Sequence, residues 1–327
     1  MKRLSKLVKC EGVKLSFNCP LCGSDHTKSI DYISKDTLRD VYLREYQTDI
    51  GDDVPSDMEL YHCNSCDLKY FYPCYTGSQG FYSDLQKFDW YYKDEKLEYD
   101  YVTQYIKPKD SVLEIGCGKG AFSSKLKTKR YVGLEFSETA CEMGRLAGRD
   151  IYTESIEDHA DKEAGVYDVV CSFQVIEHTS NPKSFIESCV KCLKPGGTLI
   201  LTVPSEDSFL QHIQDFALNM PPHHVTKWTD KCLINLEKLF DIKHVHIYHE
   251  PLNSFHIPWY FDSMSVHQLN KTLGISHSLI KYPRHWFSHW VAKLMFKVFG
   301  EDLPSAYQGH GHTVIAVYKK SASGRPK

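Results

Sequence analysis

Three groups of residues in this chain have the types and spacings that chemistry needs. The first is Val112-Leu-Glu-Ile-Gly-Cys-Gly-Lys-Gly120, where glycines at 116, 118 and 120 let the backbone turn sharply and approach a ligand closely. Its G-x-G-x-G spacing differs from the G-x-G-x-x-G of dinucleotide sites, so no pyrophosphate is called for. Glu114 sets an acid just ahead of the glycines, which suits a ligand carrying an amino group and a sulfonium better than one carrying phosphates. About 20 residues on, Glu135 closes Tyr131-Val-Gly-Leu-Glu135, the offset at which an acid accepts both hydroxyls of a ribose.

The second group is Cys19-Pro-Leu-Cys22 with Cys63-Asn-Ser-Cys66. Each C-x-x-C turn can present a pair of thiolates on one side, and the two turns together make a tetrahedral, fully occupied and therefore structural zinc site. The alternative is four unliganded thiols. Cys189-Val-Lys-Cys192 has the same spacing but lies in a helical pattern with no partner knuckle, and reads as core packing. The third group is histidine. His178 ends Gln174-Val-Ile-Glu-His178, and His223 and His224 stand in Met220-Pro-Pro-His-His-Val-Thr-Lys-Trp-Thr229. With a pKa near neutrality, such residues can take a proton from an attacking hydroxyl. A rigid loop whose histidines only cap or pack is the competing reading.

The elements that must position these groups follow from pattern. Ser111–Ile115, Tyr131–Leu134, Asp168–Phe173 and Thr198–Val203 read as strands, with helices at 121–127, 139–147 and 182–193 between them. That alternation predicts a parallel sheet covered by helices, with the glycine loop opening a helix. His244–Tyr248 and His312–Tyr318 read as two further strands without a helical crossover. The expected organisation is a zinc-ribbon-like module over 1–80, an aromatic helical connector over 81–107 that includes Trp90, Tyr91 and Tyr92, a core over 108–250, a helical insertion over 251–310 and a last core strand over 311–320. In the insertion, Trp286, Phe287, Trp290, Val291, Leu294, Met295 and Val298 recur at helical spacing. A lid or homodimer contact and a peripheral membrane contact are the two readings of that helix.

A net charge of -3 gives no general attraction to nucleic acid. The basic amino terminus lacks the apolar run of a signal peptide, and no stretch is long and apolar enough to span a bilayer, so a cytoplasmic protein with reduced thiols is expected.

On these residues the sequence resembles the class I S-adenosylmethionine (SAM)-dependent methyltransferases over roughly Ser111 to Lys319. The likeness includes Tyr167-Asp-Val-Val-Cys-Ser-Phe-Gln-Val-Ile-Glu-His178 and Leu193-Lys-Pro-Gly-Gly-Thr-Leu-Ile200. It implies a Rossmann-like α/β sheet of seven strands with the last antiparallel. It further implies Glu114, Gly116, Gly118 and the Cys117 backbone at the methionine end, Glu135 on the ribose and Phe136 against the adenine. Ser155, Ile156 or Glu157 would reach the adenine edge, and the Gln174 backbone would meet the amino group. Ubiquinone-biosynthesis O-methyltransferases and small-RNA 2'-O-methyltransferases carry Glu-x-x-Glu-His at this strand end and bind a divalent metal there. Glu177, His178 and His224 match that pattern, whereas Gln174 replaces the first Glu and removes an anionic ligand. Metal-free base catalysis is therefore the expectation, with His224 first, His178 second and His223 beside them. The whole layout also resembles bacterial methyltransferases of polysaccharide and sugar pathways. That likeness implies methylation of a hydroxyl, less readily a carbon, of a sugar or glycan precursor. An RNA methyltransferase gripping nucleic acid through its zinc module and a non-catalytic SAM-binding protein are the alternatives.

Overall fold

Two sheets organise the chain, seen here in a computed structural model that describes residues 18–88, 95–281, 286–299 and 310–322. The smaller begins at the first cysteine knuckle. Strand β1 (Thr27–Ile33) leads through helix α1 (Lys35–Tyr46) to β2 (Met58–Cys63) and β3 (Lys69–Tyr72), all antiparallel. Helices α2 (Gln79–Leu85) and α3 (Leu97–Thr103) follow, while Trp90, Tyr91 and Tyr92 of the aromatic segment lie outside the described residues.

The larger sheet starts at β4 (Ser111–Ile115), whose five residues are all buried, and continues with β5 (Arg130–Leu134). Helix α4 (Glu138–Leu146), the short β6 (Ile151–Tyr152) and α5 (Ile156–Lys162) come next, then β7 (Tyr167–Phe173), α6 (Pro182–Cys192) and β8 (Leu193–Pro204). After β9 (Thr226–Lys227) and α7 (Asp230–Leu239), the strands β10 (Ile242–Pro251) and β11 (His310–Lys320) enclose α8 (Ile257–Thr272) and α9 (Trp286–Phe299) in sequence. The strand order is β10-β11-β8-β7-β4-β5-β6; β11 runs antiparallel between β8 and β10, and β8 to β6 are mutually parallel. This is the seven-stranded sheet with an antiparallel last strand that the sequence implies. Strands covered on both faces need unbroken apolar runs, and Leu199, Ile200, Leu201 and Val203 of β8 are fully buried.

The structure departs from the sequence reading in two places. The glycine loop opens only a single 3-10 turn, Ala121–Lys125, instead of an α-helix. Ser123 and Ser124 turn their hydroxyls back onto the carbonyls of Gly120 and Ala121, both at 2.7 Å, and so compete with helical bonding. The amino-terminal sheet also recruits β9 from the core, pairing Lys69 with Lys227 and Tyr70 with Thr226. A two-residue strand more than 150 positions downstream has no period to read.

Candidate active site

The carboxyl ends of β4, β5 and β7 meet at the glycine loop. Gly116, Gly118 and Gly120 all have positive φ, at 68°, 54° and 77°. A Cβ at Gly116 would stand 2.4 Å from Cγ2 of Val175, so the close approach requires glycine there. Glu135 caps β5 with its carboxylate accepting from the N–H groups of Gly118 and Ser137, each at 2.9 Å, which fixes the acid at the loop with lone pairs to spare. Beside it Phe136 is 73% exposed, a free aromatic face at a strand end. A cavity of about 100 Å³ lies between Lys119 of the loop and the first turn of α4, lined by Ser137, Thr139, Ala140, Met143 and Gln86.

The remaining expected cofactor residues are placed as follows. Glu114 is buried and accepts from Tyr131 Oη at 2.5 Å; burial pushes its carboxyl up to about 8 against the pull of that bond. Cys117 is buried, its N–H on the Leu134 carbonyl. Ser155 caps α5, accepting from Asp158 N at 3.0 Å, Ile156 is buried, and Glu157 accepts from Ser184 Oγ. Gln174 leaves β7 with φ 59°, and its Nε2 is buried with no hydrogen-bond partner. That orphaned donor, the open glycine turn, the anchored acid and the exposed ring fit a cofactor with a nucleoside at one end and an amino acid at the other.

Next to Gln174 the structure brings His178, His223 and His224 together. Their ring centroids are 4.5 to 4.8 Å apart, and one ring nitrogen from each lies within 4.8 Å of the others. His178 Nδ1 lies 2.7 Å from the His223 carbonyl and His223 Nδ1 lies 2.9 Å from the Leu218 carbonyl. A carbonyl only accepts, so both Nδ1 atoms carry the proton and both Nε2 atoms hold a lone pair. His224 Nδ1 faces Asn219 Oδ1 at 3.2 Å, which selects the same tautomer. Burial drives all three imidazoles toward the neutral form: His178 falls to about 4, and His223 and His224, which also repel neighbouring imidazolium, fall well below 6.5.

Glu177 completes the cluster. Its Oε1 lies 3.9 Å from His178 Nε2 and 4.0 Å from His224 Nε2, and both carboxylate oxygens are buried without a hydrogen-bond partner. Burial raises its carboxyl to about 8. Three nitrogen lone pairs and an orphaned carboxylate form a donor set that fits a divalent transition metal. Sequence reasoning named the histidines but missed three neighbours: Asn219 that orients His224, Leu218 whose carbonyl orients His223, and Tyr82 of α2, whose ring stands 6.0 Å from His178 and 6.1 Å from His223.

The histidine loop is held from several sides. Tyr42 of α1 donates to the carbonyls of Ala217 and Met220, at 2.8 and 3.1 Å. Val225 N–H bonds to the Glu177 carbonyl, and Phe71 N–H bonds to the Val225 carbonyl. The cysteine knuckles lie at the far end of the same sheet. Cys19 and Cys66 sulfurs are 3.5 Å apart, as are those of Cys22 and Cys63, and all four sulfurs lie within 4.8 Å of one another. Contact with Cys66 and burial hold the Cys19 thiol well above its ordinary value, while at Cys63 the N–H groups of Cys66 and Ser65 overcome burial and lower it. Four converging sulfurs with N–H groups aimed at them have the chemistry of a metal site.

The profile of the family described as "Methyltransferase domain" matches residues 91–274. The ubiquinone biosynthesis O-methyltransferase of Erwinia tasmaniensis is 30% identical over 122 residues, 34% of this chain and 50% of that protein. The enzyme of the same name from Hahella chejuensis is 31% identical over 133 residues, 37% of this chain and 56% of that protein. The chain thus spans about half the length of the curated relatives it matches. A solved SAM-dependent methyltransferase from Archaeoglobus fulgidus is 16% identical, covering 73% of this chain and 100% of that one at a TM-score of 0.47. These names correct the expectation of a sugar or glycan acceptor: the curated relatives are named for ubiquinone biosynthesis, not for polysaccharide pathways. The general layout that suggested sugars carries no acceptor-specific residue, which is why it misled. With the family profile spanning more than half of its length and the seven-stranded sheet in place, the chain belongs to the methyltransferase-domain family of SAM-dependent enzymes.

Proposed function

We propose that the chain transfers a methyl group from SAM to the oxygen of a hydroxyl on a small-molecule acceptor, of the kind met in ubiquinone biosynthesis. The observation that carries this reading is the meeting of three neutral histidines and Glu177 beside Gln174, at the strand end next to the glycine loop. The relatives' name supports the oxygen acceptor and the acceptor class.

SAM when bound supplies a methyl carbon on a sulfonium, which an acceptor oxygen attacks in line as the carbon–sulfur bond breaks. The residues of this chain bind and orient. Glu135 is set to take the ribose hydroxyls and Phe136 the adenine face, while the Gln174 strand tip meets the amino group. His224 Nε2 takes the hydroxyl proton, with Asn219 holding its ring, and His178 Nε2 is the second acceptor of that proton. A divalent metal held by Glu177, His178, His223 and His224 would instead bind the acceptor oxygen as a Lewis acid and lower its pKa. The four sulfurs of Cys19, Cys22, Cys63 and Cys66 are assigned a structural zinc. Cysteines that hold zinc or stay unpaired, with no disulfide among the described residues, suit a reducing, cytoplasmic setting.

The test is transfer of labelled methyl from SAM to a panel of aryl hydroxyls, aliphatic hydroxyls and amines, with the product located by mass spectrometry. Label on a hydroxyl oxygen is expected; label confined to nitrogen, or none on any acceptor, contradicts the proposal.

A further inference from the structure

Helix α9 turns its apolar side to solvent. Trp286 is 63% exposed, Trp290 57% and Leu294 50%, one turn apart along one side, with Phe287 beside them at 44%. The rings lean on one another, Trp286 and Phe287 at 6.0 Å and Phe287 and Trp290 at 6.3 Å, so the patch is continuous. Soluble monomers seldom leave such a patch bare without a partner for it. Lys293 and Lys297, also one turn apart, are exposed and border the stripe. Across residues 252–299 the chain carries Lys271, Lys281, Arg284, Lys293 and Lys297 against the single acid Asp262, although its overall charge is -3.

We propose that α9 docks on an anionic phospholipid surface. Trp286, Phe287, Trp290 and Leu294 enter the boundary between headgroups and acyl chains, and Lys293 and Lys297 extend their stems over it to the lipid phosphates. The helix lies on the surface, because none among the described residues is long and apolar enough to cross a membrane. Charge favours lipid over a second copy of the chain: a two-fold contact through this stripe would bring two sets of lysines to one interface with no acid on α9 to offset them, whereas anionic headgroups neutralise them. The inference is independent of the proposed acceptor.

Vesicle co-sedimentation of the full chain tests it, with phosphatidylcholine alone and with an equal mixture of phosphatidylcholine and phosphatidylglycerol. Binding to the mixture is expected to be at least about tenfold tighter and to weaken with salt. Trp286→Ala/Trp290→Ala, which removes only exposed rings, should lose about tenfold or more of that affinity, with unchanged circular dichroism and SAM affinity. Lys293→Glu/Lys297→Glu should abolish the preference for the mixture. Equal affinity for both vesicles, or an unaffected tryptophan variant, would overturn the proposal. So would a dimer in sedimentation equilibrium that the tryptophan substitutions dissociate while neither vesicle binds.

Discussion

The three histidines of the cluster have their Nδ1 protons committed to neighbouring oxygens. Two are spent on backbone carbonyls and one on Asn219, which leaves Nε2 lone pairs on neutral, buried rings. This has a consequence for stability. Below pH 6.5 the unfolded chain binds protons that the buried rings refuse, until about 4 at His178 and to well below 6.5 at His223 and His224, so the folded state loses stability as pH falls through that window. Glu177 acts in the opposite direction, its contribution falling as pH rises from 4.5 to about 8. In chelator-treated protein, urea unfolding of His178→Gln should therefore show a pH slope smaller by about one proton between pH 6.5 and 4. An unchanged slope would mean that His178 is not held neutral. The sequence singled out the three histidines that the structure brings together, because motif and strand end are local. Their convergence was hidden, since it depends on a loop without periodicity folding back onto β7.

Among the elements, α1 and β3 matter more to the site than their distance in sequence suggests. Tyr42 reaches across to Ala217 and Met220, and β9 fastens the segment after the histidines to β3. The junction includes Lys69, bonded to Glu206 at 3.0 Å, with buried Lys227 3.7 Å from the same carboxylate; burial opposes that charge, yet the two ammonium groups hold Glu206 low. Tyr42→Phe would leave two carbonyls without their donor, at a cost of about 1–3 kcal/mol. Its expected signature is a fall in methyl-transfer kcat with SAM affinity unchanged, measured by initial rates and calorimetry. A variant with both unchanged would remove α1 from the positioning of the loop. The strands of the large sheet were legible because each is an apolar run between turn residues, as in Ser111–Ile115. The second sheet was not, because β9 is two residues long and its pairing is entirely non-local.

For the whole molecule, the second cysteine knuckle lies in the β2–β3 turn of the small sheet whose strand β9 follows directly on the His223–His224 loop, so the metal proposed at the knuckles would support that loop from a distance. Thr229, which caps α7, and Lys231 both donate to Asp67, the residue after Cys66, and so carry the link into the core. Cys63→Ser/Cys66→Ser should lose about one zinc per chain by elemental analysis and lower the unfolding midpoint by roughly 5–10 °C. Full stability with no zinc in the parent protein would refute a structural metal. Fold and donor were legible at this scale, since the glycine loop, Glu135 and the strand–helix alternation are written locally. The acceptor was not, because the residues proposed to face it come from α2, the loop before His223 and the strand end of β7, brought together only by folding.

The most direct test of the account measures labelled methyl transfer to an acceptor hydroxyl by the parent protein and by His224→Ala, with SAM affinity determined alongside. The account predicts that SAM binds both equally and that transfer to oxygen by the variant falls by about 10²-fold or more. Equal transfer rates would contradict a role for His224 at the acceptor oxygen, and failure of the parent protein to bind SAM would contradict the account as a whole.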